Sequence, residues 1–271
     1  MSAPPKAQID PSARIHPSAI VEPGARIGPG CRIGPFCTVG PEVVLGAGVE
    51  LKSHAVVSGC TEIGDETVVF PFAVVGEVPQ DLKFRGERTR LVIGRRNRIR
   101  EGATLNLGTE GGGGITRVGD DCLFMTGAHV GHDAQVGNRV IMANQAALGG
   151  HCVIGDDVII GGLSGVHQFV RIGRGAIIGA VTMVTNDVIP FGLVQGPRGT
   201  LDGLNLIGLR RRNVAREDIA ALRSAYRALA RGRGTFQERA GRLIAEAENR
   251  HVREMLEFIL ADSDRSFLTP G

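Results

Sequence analysis

The feature that most constrains the fold of this chain is an apolar residue that recurs every six positions. One run begins at Ile9 and continues without a failure to Val75, and a second extends from Val118 to Val184. Only 42% of the 271 residues are hydrophobic, so composition alone does not produce unbroken runs of this length. A period of six matches neither the 3.6-residue period of an α-helix nor the simple alternation of a long strand. It is typical of a parallel β-helix, in which short strands each place one side chain inward and tight corners separate the strands.

The length of one coil sets which residues become neighbours in space. If three hexapeptides close one coil, residues 18 apart in sequence lie next to each other at a strand spacing of about 4.8 Å. Glycine often follows the inward apolar residue, as at Gly28, Gly34 and Gly131, and glycine suits a tight corner. Side chains one coil apart, that is, three hexapeptides apart, are therefore expected to contact each other.

Two segments interrupt the repeat and a third ends it. Residues 77–90 and 106–117 break the six-residue phase, which predicts a protruding loop at each. The four glycines at 111–114 lack the Gly-Lys-Ser/Thr of a phosphate loop and favour a flexible connection or a gate. After Pro190 an irregular linker is predicted, followed by helices, one of which opens with the capping-box sequence of residues 235–238. We expect a repeat domain over 1–190, and a linker with a small C-terminal α-helical domain over 191–271.

The composition excludes several classes of protein. A net charge of +3, no tryptophan and a single tyrosine disfavour a nucleic-acid-binding protein. Five cysteines, an odd number without a Cys-x-x-Cys pair, favour a reducing compartment over a disulfide framework. The sequence contains neither the apolar core of a signal peptide nor an apolar run of membrane-spanning length. These features predict a cytoplasmic protein without an integral membrane segment.

A basic segment opens the helical region. Residues 210–233 contain eight arginines against Glu217 and Asp218. Arginine-rich helix surfaces are often simply solvated, but such a surface also suits an acidic partner or a phosphate group. The sequence leaves both interpretations open.

Three histidines have separations close to one coil. His132, His151 and His167 follow one another at intervals that each differ from one coil by only one or two positions, which predicts one edge shared over three successive coils. Asp133 lies one full coil before His151, and His129 flanks the same edge. Three histidines could hold zinc and leave its fourth position open. Alternatively, one histidine oriented by Asp133 could act as a general base, since the unperturbed pKa of histidine, about 6.5, suits work near neutral pH.

Motifs beyond the repeat resemble the bacterial UDP-N-acetylglucosamine 3-O-acyltransferase family. They are QDLKF at 80–84, AHVGHD at 128–133, GVHQF at 165–169 and GLNLIGLRRR at 203–212, and their order is specific. The resemblance covers nearly the whole chain and implies a left-handed parallel β-helix with a small C-terminal α-helical domain. It also implies transfer of a hydroxyacyl chain from acyl carrier protein to the 3-position of UDP-N-acetylglucosamine, the first step of lipid A biosynthesis. No cofactor and no metal ligand are implied, and the family is a homotrimer with sites between subunits.

The resemblance assigns roles to individual residues. His132 is expected to be the general base, Asp133 to orient it, and the backbone N–H of Gly150, one coil after His132, to stabilise the oxyanion. Arg211 and Arg212 resemble diphosphate ligands, and the remaining arginines could meet the acidic carrier protein. The other expected substrate-binding residues are Gln80, Asp81, Lys83, His129, His151, His167, Gln168 and Asn205.

Two positions bear on substrate choice. Asn106 stands where the family pattern has a histidine, which leads to the hypothesis of a variant acceptor such as a sugar with a 3-amino group. Ala180 falls at the position that resembles the family's acyl-chain ruler. A methyl group there predicts a shorter acyl chain than glycine allows.

Other functions fit the repeat less well. A zinc enzyme resembling the γ-class carbonic anhydrases would use the histidines as metal ligands, and a non-catalytic scaffold would use none of them. The N-acyltransferase of the same pathway typically carries an extra N-terminal domain, whereas the hexapeptides here begin at Ile9. The QDLK loop and the arginine-rich tail favour the O-acyltransferase.

Overall fold

The chain forms a three-sided parallel β-helix that continues into four α-helices. The computed structural model describes residues 6–263 and 265–270. Strands on each side pair in parallel with the strands one coil before and after, as in Gln135–Val136 with Val153–Ile154. The predicted register, in which three hexapeptides close one coil, is therefore confirmed where the repeat is unbroken.

The strands of the β-helix fall into three sheets, which we call the first, second and third faces in chain order. The first face contains Gln8–Ile9, Arg26–Ile27, Val44–Leu45, Cys60–Ile63, Arg90–Ile93, Ile115–Val118, Gln135–Val136, Val153–Ile154 and Arg171–Ile172. The second face contains Arg14–Ile15, Arg32–Ile33, Glu50–Leu51, Val68–Val69, Arg98–Ile99, Leu123–Phe124, Ile141–Met142, Ile159–Ile160, Ile177–Ile178, Gly192–Gln195 and Thr200–Leu204. The third face contains Ile20–Val21, Thr38–Val39, Val56–Val57, Val74–Glu77, Thr104–Asn106, His129–Val130, Ala147–Leu148, Gly165–Val166 and Met183–Val184.

The six-residue repeat supplies the core. Every member of the run from Val118 to Val184 is buried, and so is the first run from Ile27 onward. Ile9 is 44% exposed because, among the described residues, its strand pairs with the next coil alone. Each buried CH₂ group contributes about 0.8 kcal/mol to the free energy of folding. These stacked aliphatic columns are therefore the main stabilising contribution.

Both predicted interruptions are loops. Ile63 pairs with Ile93 and not with the residue one regular coil later, because residues 78–89 leave the coil between them. The second interruption contains a short 3₁₀ turn at Glu110–Gly112 and rejoins the first face at Ile115–Val118. Each loop leaves the β-helix at the corner that follows the third face.

The segment predicted to be an irregular linker is instead a β-hairpin, so that prediction was wrong. Gly192–Gln195 pairs in parallel with Ile177–Ile178 and antiparallel with Thr200–Leu204. Val194 and Leu201 are fully buried against the end of the core. The hairpin covers a strand edge and an apolar core that would otherwise face water. The division of the chain into domains at residue 190 stays a prediction.

Four helices follow the hairpin: α1 at Leu206–Arg211, α2 at Arg216–Ala230, α3 at Phe236–Ile244 and α4 at Arg250–Leu260. The capping box predicted for α3 is present, with Thr235 and Glu238 exchanging side-chain and backbone hydrogen bonds. Apolar residues of α2, α3 and α4, such as Leu222, Ala240 and Leu256, are buried between the helices. No helix in the described part of the chain is long and apolar enough to cross a bilayer.

Candidate active site

The corner that follows the third face carries the predicted catalytic residues. Asp133, His151 and Phe169 occupy the same hexapeptide position in three successive coils, with φ angles of 60°, 61° and 65°. His132 lies one position earlier, in line with Gly150, whose backbone it faces. The His132 and His151 ring centroids are 5.0 Å apart with the rings at 88°, and His151 stacks on Phe169 at 4.3 Å.

His167 begins the same corner one coil later but its side chain does not join this cluster, so the expected grouping of three histidines was wrong. Its side chain is exposed, and its Nδ1 lies 2.7 Å from the guanidinium of Arg265. The reason is the offset of one or two positions from a full coil, which moves a side chain to a different position of the hexapeptide and a different direction. Among the described residues, the ligand atoms that lie within 4.8 Å of one another belong to His132, Asp133 and His151. A three-histidine zinc site is therefore not formed in the described part of the chain.

His132 and Asp133 form a buried hydrogen-bonded pair. Nδ1 of His132 lies 2.8 Å from Oδ2 of Asp133, and the two residues are only 7% and 3% exposed. The Asp133 carboxylate also accepts the N–H of Thr109 at 2.8 Å and its hydroxyl at 2.6 Å. A carboxylate surrounded by donors acts as an acceptor, so Nδ1 of His132 carries the proton. Nε2 of His132 is then left with a free lone pair.

Gly150 lies directly against the His132 ring. A Cβ atom at position 150 would be 2.5 Å from both Nε2 and Cε1 of His132. This distance is a steric clash, so the position requires glycine. Among the hydrogen bonds of the described residues, the Gly150 N–H donates none. The predicted oxyanion donor therefore lies beside the nitrogen that is free to act as a base.

Both loops reach this corner and enclose a cavity of about 270 Å³. Its lining residues are Asp81, Lys83, Phe84 and Glu87 of the first loop, Thr109, Glu110 and Gly111 of the second, and His151 and Phe169 of the corner. Two of the predicted substrate-binding residues, Asp81 and Lys83, thus come to the histidines from a distant part of the sequence. Gln80 is exposed and does not line the cavity.

The histidines beside His132 are kept neutral by their surroundings. Burial lowers the pKa of His151, against the opposing effect of the Asp133 carboxylate. Burial, and then the nearby charge of His132, lowers the pKa of His129, whose Nδ1 lies 2.8 Å from the hydroxyl of Thr104. Neutral rings can both donate and accept hydrogen bonds, which suits the hydroxyl groups of a sugar.

Most of the other predicted site residues lie away from this corner. Asn205 caps α1, accepting the N–H of Gly208 at 2.9 Å and donating to the carbonyl of Gly175 at 3.0 Å. Arg212 packs over Gly175, at the corner that follows the first face, and burial lowers its pKa. Arg211, Gln168 and Ala180 are exposed. Ala180 lies on the corner that follows the second face, whereas Gln168 lies at the site corner itself, one coil after Gly150. One chain therefore does not bring Arg211 and Arg212 to His132.

Asn106 has a structural contact that the sequence did not predict. Its buried Nδ2 donates to the carbonyl oxygens of Glu77 at 3.2 Å and Val78 at 2.9 Å, which fixes the start of the first loop. Its Oδ1 has no partner within the described residues. The substitution at this position therefore bears on the attachment of the loop, and the variant acceptor stays a hypothesis.

Thr109, Gly112 and Thr116 were not predicted, although all three contact Asp133. Thr116 accepts the Asp133 N–H at 2.8 Å, and the backbone of Gly112 lies against the carboxylate. The signal for them was the break in the repeat at 106–117, which occurs about one coil before Asp133. A loop that leaves the coil at that point returns over the next corner residue.

Comparisons with known proteins find relatives over most of the chain. Residues 187–268 match a family model described as UDP N-acetylglucosamine O-acyltransferase, domain 2, and residues 6–41 match the bacterial transferase hexapeptide model. The acyl-[acyl-carrier-protein]–UDP-N-acetylglucosamine O-acyltransferase of Paracoccus denitrificans is 71% identical over 75% of this chain and 77% of its own. The enzyme of that name from Rhizobium etli is 51% identical over 83% of each chain.

A solved structure shows the same fold over nearly the whole length. The UDP-N-acetylglucosamine acyltransferase from Campylobacter jejuni is 38% identical, with a TM-score of 0.90 over 95% of this chain and 100% of that one. The expected left-handed parallel β-helix with a C-terminal helical domain is thereby confirmed.

Proposed function

The chain belongs to the family of acyl-[acyl-carrier-protein]–UDP-N-acetylglucosamine O-acyltransferases, and on that premise we propose that His132 is its general base. The reaction moves a hydroxyacyl chain from acyl carrier protein to the 3-hydroxyl of UDP-N-acetylglucosamine, which begins lipid A synthesis. The observation that carries the assignment is the hydrogen bond of Nδ1 to Asp133, because it leaves Nε2 unprotonated.

The mechanism is a direct transfer. Nε2 of His132 takes the proton of the sugar 3-hydroxyl while the oxygen attacks the thioester carbon, and the carbon–sulfur bond then breaks. The imidazolium returns its proton to the departing thiolate. Asp133 stabilises the imidazolium without taking its proton, and the Gly150 N–H donates to the negative oxygen of the tetrahedral intermediate. A positioned base of this kind typically contributes about 10² to 10⁴ in rate.

The cavity at the corner is the proposed acceptor site. The Asp81 carboxylate and the neutral His151 ring suit sugar hydroxyls, and the Lys83 ammonium suits a phosphate oxygen. Gln80, His129, His167, Gln168 and Asn205 are further proposed contacts of the substrates. Arg211 and Arg212 are the proposed diphosphate ligands.

A homotrimer accounts for the separation of those arginines from His132. If the site lies between subunits, Arg211 and Arg212 of one chain complete the cavity of the next. In the described coils, the outward residue before each inward side chain of the third face is uncharged, from Ile20 to Met183. Ile20 is 60% exposed and Met183 50%, which supports burial of this face against other copies of the chain.

We propose no cofactor, because the carrier thioester already activates the acyl group. The acidic carrier protein is the proposed partner of the arginine-rich surface of α1 and α2, where charge complementarity favours encounter. All five cysteines are free thiols, which supports a reducing, cytoplasmic location.

One assay tests the reaction. The purified protein is incubated with UDP-N-acetylglucosamine and a panel of hydroxyacyl carrier proteins, with the 3-amino sugar as competitor, and the product is identified by mass. We expect an ester at the 3-position and full activity after treatment with a chelator. Loss of activity to the chelator, together with bound zinc, would favour the metalloenzyme instead.

The same panel tests the acyl-chain ruler. We expect Ala180→Gly to shift the preference toward a longer chain, because removal of the methyl group leaves room for more carbon atoms. An unchanged preference would show that Ala180 does not set chain length.

A further inference from the structure

Thr109, at the start of the second loop, contacts both oxygens of the Asp133 carboxylate. Its backbone N–H donates to Oδ1 at 2.8 Å, and its hydroxyl donates to Oδ2 at 2.6 Å. Thr109 is 8% exposed and the Asp133 side chain is 1% exposed, so water does not compete for these bonds. Hydrogen bonds to a charged group in such surroundings are about twice as strong as those between neutral groups.

The glycines of the loop allow this close approach. A Cβ atom at position 112 would lie 2.1 Å from Cγ of Asp133 and 2.3 Å from its Oδ2, so the loop backbone rests on the carboxylate. The Gly114 N–H donates to the Thr109 carbonyl at 2.8 Å, which turns the loop back on itself. Gly112 therefore fits the loop to Asp133, and the flexible connection or gate suggested by the sequence stays a prediction.

The same carboxylate oxygen serves both Thr109 and His132. Oδ2 accepts the Thr109 hydroxyl and the Nδ1 proton of His132, whereas Oδ1 accepts the Thr109 N–H. Two donors on one residue fix the rotation of the carboxylate, which in turn fixes the imidazole. Thr109, with its neighbours Glu110 and Gly111, also lines the cavity.

We infer that Thr109 is a positioning residue that acts through Asp133 to hold His132 with Nε2 free and directed at the acceptor. This inference rests on the proposed function. Thr109 transfers no proton to substrate. Its hydroxyl shares the negative charge of Asp133 and keeps Oδ2 directed at Nδ1.

The test compares two substitutions that separate the hydroxyl from the shape of the side chain. Thr109→Val keeps the shape and removes the hydroxyl, and we expect kcat to fall about 10- to 100-fold with KM changed little. Thr109→Ser keeps the hydroxyl, and we expect kcat within about threefold of the unmodified enzyme, since a few tenths of a kcal/mol change rate little. Equal losses of kcat in both variants would overturn the inference in favour of packing.

Thr67 offers a matched control at another corner. It is fully buried, its hydroxyl accepts the Asn97 N–H at 3.1 Å and donates to the Gly94 carbonyl at 3.2 Å, and it lies at the corner that follows the first face. We expect Thr67→Val to lower thermal stability and leave kcat unchanged. A fall in kcat equal to that of Thr109→Val would overturn the inference, because loss of any buried hydroxyl would then suffice.

The pH dependence supplies a readout that a packing role would not move. The ionisable groups that face His132 are Asp133, His129 and His151, with Asp81 and Lys83 facing His151 from the first loop. Thr109→Val replaces none of these groups and removes one hydrogen-bond donor to Asp133. With one donor fewer, the carboxylate favours the imidazolium more strongly, so we expect the acidic limb of the kcat/KM profile to move to higher pH. An unmoved limb with normal kcat would overturn the inference.

A double variant separates this inference from the proposed function. If Thr109 acts through His132, Thr109→Val should have no further effect in a His132→Ala background. Independent, multiplying losses would overturn the role through His132. Full activity of His132→Ala alone would instead overturn the proposed base, whereas an inactive His132→Ala beside a fully active Thr109→Val would overturn only the inference.

Discussion

Two corners of the β-helix use the same backbone position for opposite purposes. At the corner after the third face, the left-handed position holds Asp133 and His151, with φ angles of 60° and 61°. At the corner after the first face, it holds alternating charges, Arg96, Asp121, Arg139 and Asp157, with φ angles from 55° to 60°. We call this second set the charge ladder.

The charged side chains of the ladder form ion pairs with one another at the protein surface. The Arg96 guanidinium lies 2.7 Å from Asp121, and that of Arg139 lies 2.8 Å from Asp157. The hydrogen bond from Arg96 lowers the pKa of Asp121, and the bond from Arg139 to Asp157 raises the pKa of Arg139. Each of these groups is occupied by an ion pair, and Arg96, Asp121 and Arg139 are also exposed.

The site corner differs because the two loops cover it. Thr109 and His132 saturate the Asp133 carboxylate, and His132 retains one nitrogen without a partner. The repeat therefore determines which side chains stack at a corner. The loops that cover the corner determine whether those side chains can react. Substitutions at either corner should therefore differ in their effects on catalysis and on stability.

Removal of the base should have the largest effect. We expect His132→Ala to lower kcat by about 10² to 10⁴, because the substitution removes the ring nitrogen that lies beside Gly150. Single-turnover rates with a hydroxyacyl carrier protein measure this loss. Acyl transfer at the normal rate would instead favour a different base or a non-catalytic scaffold.

Displacement of the carboxylate should have the next largest effect. Gly112→Ala puts a methyl group 2.1 Å from Cγ of Asp133, and a shift of about 1 Å in a catalytic group can cost about 10²-fold in rate. Gly241→Ala in α3 is the control, because the nearest atom to its new Cβ is 4.0 Å away. Equal kcat values for the two variants would contradict the close fit of the loop.

The two corners should also differ in their response to acid. Burial lowers the pKa of His129 in the folded chain, so the unfolded chain binds the proton first as the pH falls below about 6.5. Stability is therefore lost between about pH 7 and the lowered folded pKa, and it is retained above that range. The pKa of Asp121 is lowered, so its contribution is lost only as the pH falls below the ordinary aspartate value of about 3.9.

Thermal melts at pH values on either side of this histidine range test the difference. We expect the fall in Tm on acidification to become smaller in His129→Gln and to stay unchanged in Arg96→Gln. The same fall in both variants would mean that burial of His129 does not produce it.

Interruption of the ladder should have the smallest effect. Arg139→Ala removes ion pairs whose arginine side chain is 51% exposed, and exposed pairs of this kind contribute about 0 to 1 kcal/mol. We expect a small loss in the free energy of unfolding, reduced further by salt, and an unchanged kcat. Denaturant titration with parallel rate measurements checks both expectations. A large loss of activity would show that the ladder affects catalysis, which would contradict the prediction.

The six-residue period of the sequence correctly predicted the features that depend on the regular coils. The inward residues, the stack of Asp133 beneath His151 and the alignment of Gly150 with His132 all follow from a separation of one hexapeptide or one coil. His167 was misplaced because a departure of two positions from a full coil changes the position within the hexapeptide.

The six-residue period does not predict the contacts that the loops make. Thr109 and Asp133 are not separated by a whole number of coils, because the loop leaves the coil and returns. The hairpin at Gly192–Gln195 was missed for a related reason, since its partner strand Ile177–Ile178 is an exposed edge only where the coils end.

The most direct test of the account is the position of the proton on the His132 ring. The chain has seven histidines, so selective ¹⁵N labelling gives seven ring systems, and a His132→Gln spectrum identifies the one of interest. At a pH of about 8, where an ordinary histidine is neutral, the account predicts a proton on Nδ1 and an unprotonated Nε2. A proton on Nε2 would contradict it, because that nitrogen could not then accept the proton of the sugar hydroxyl.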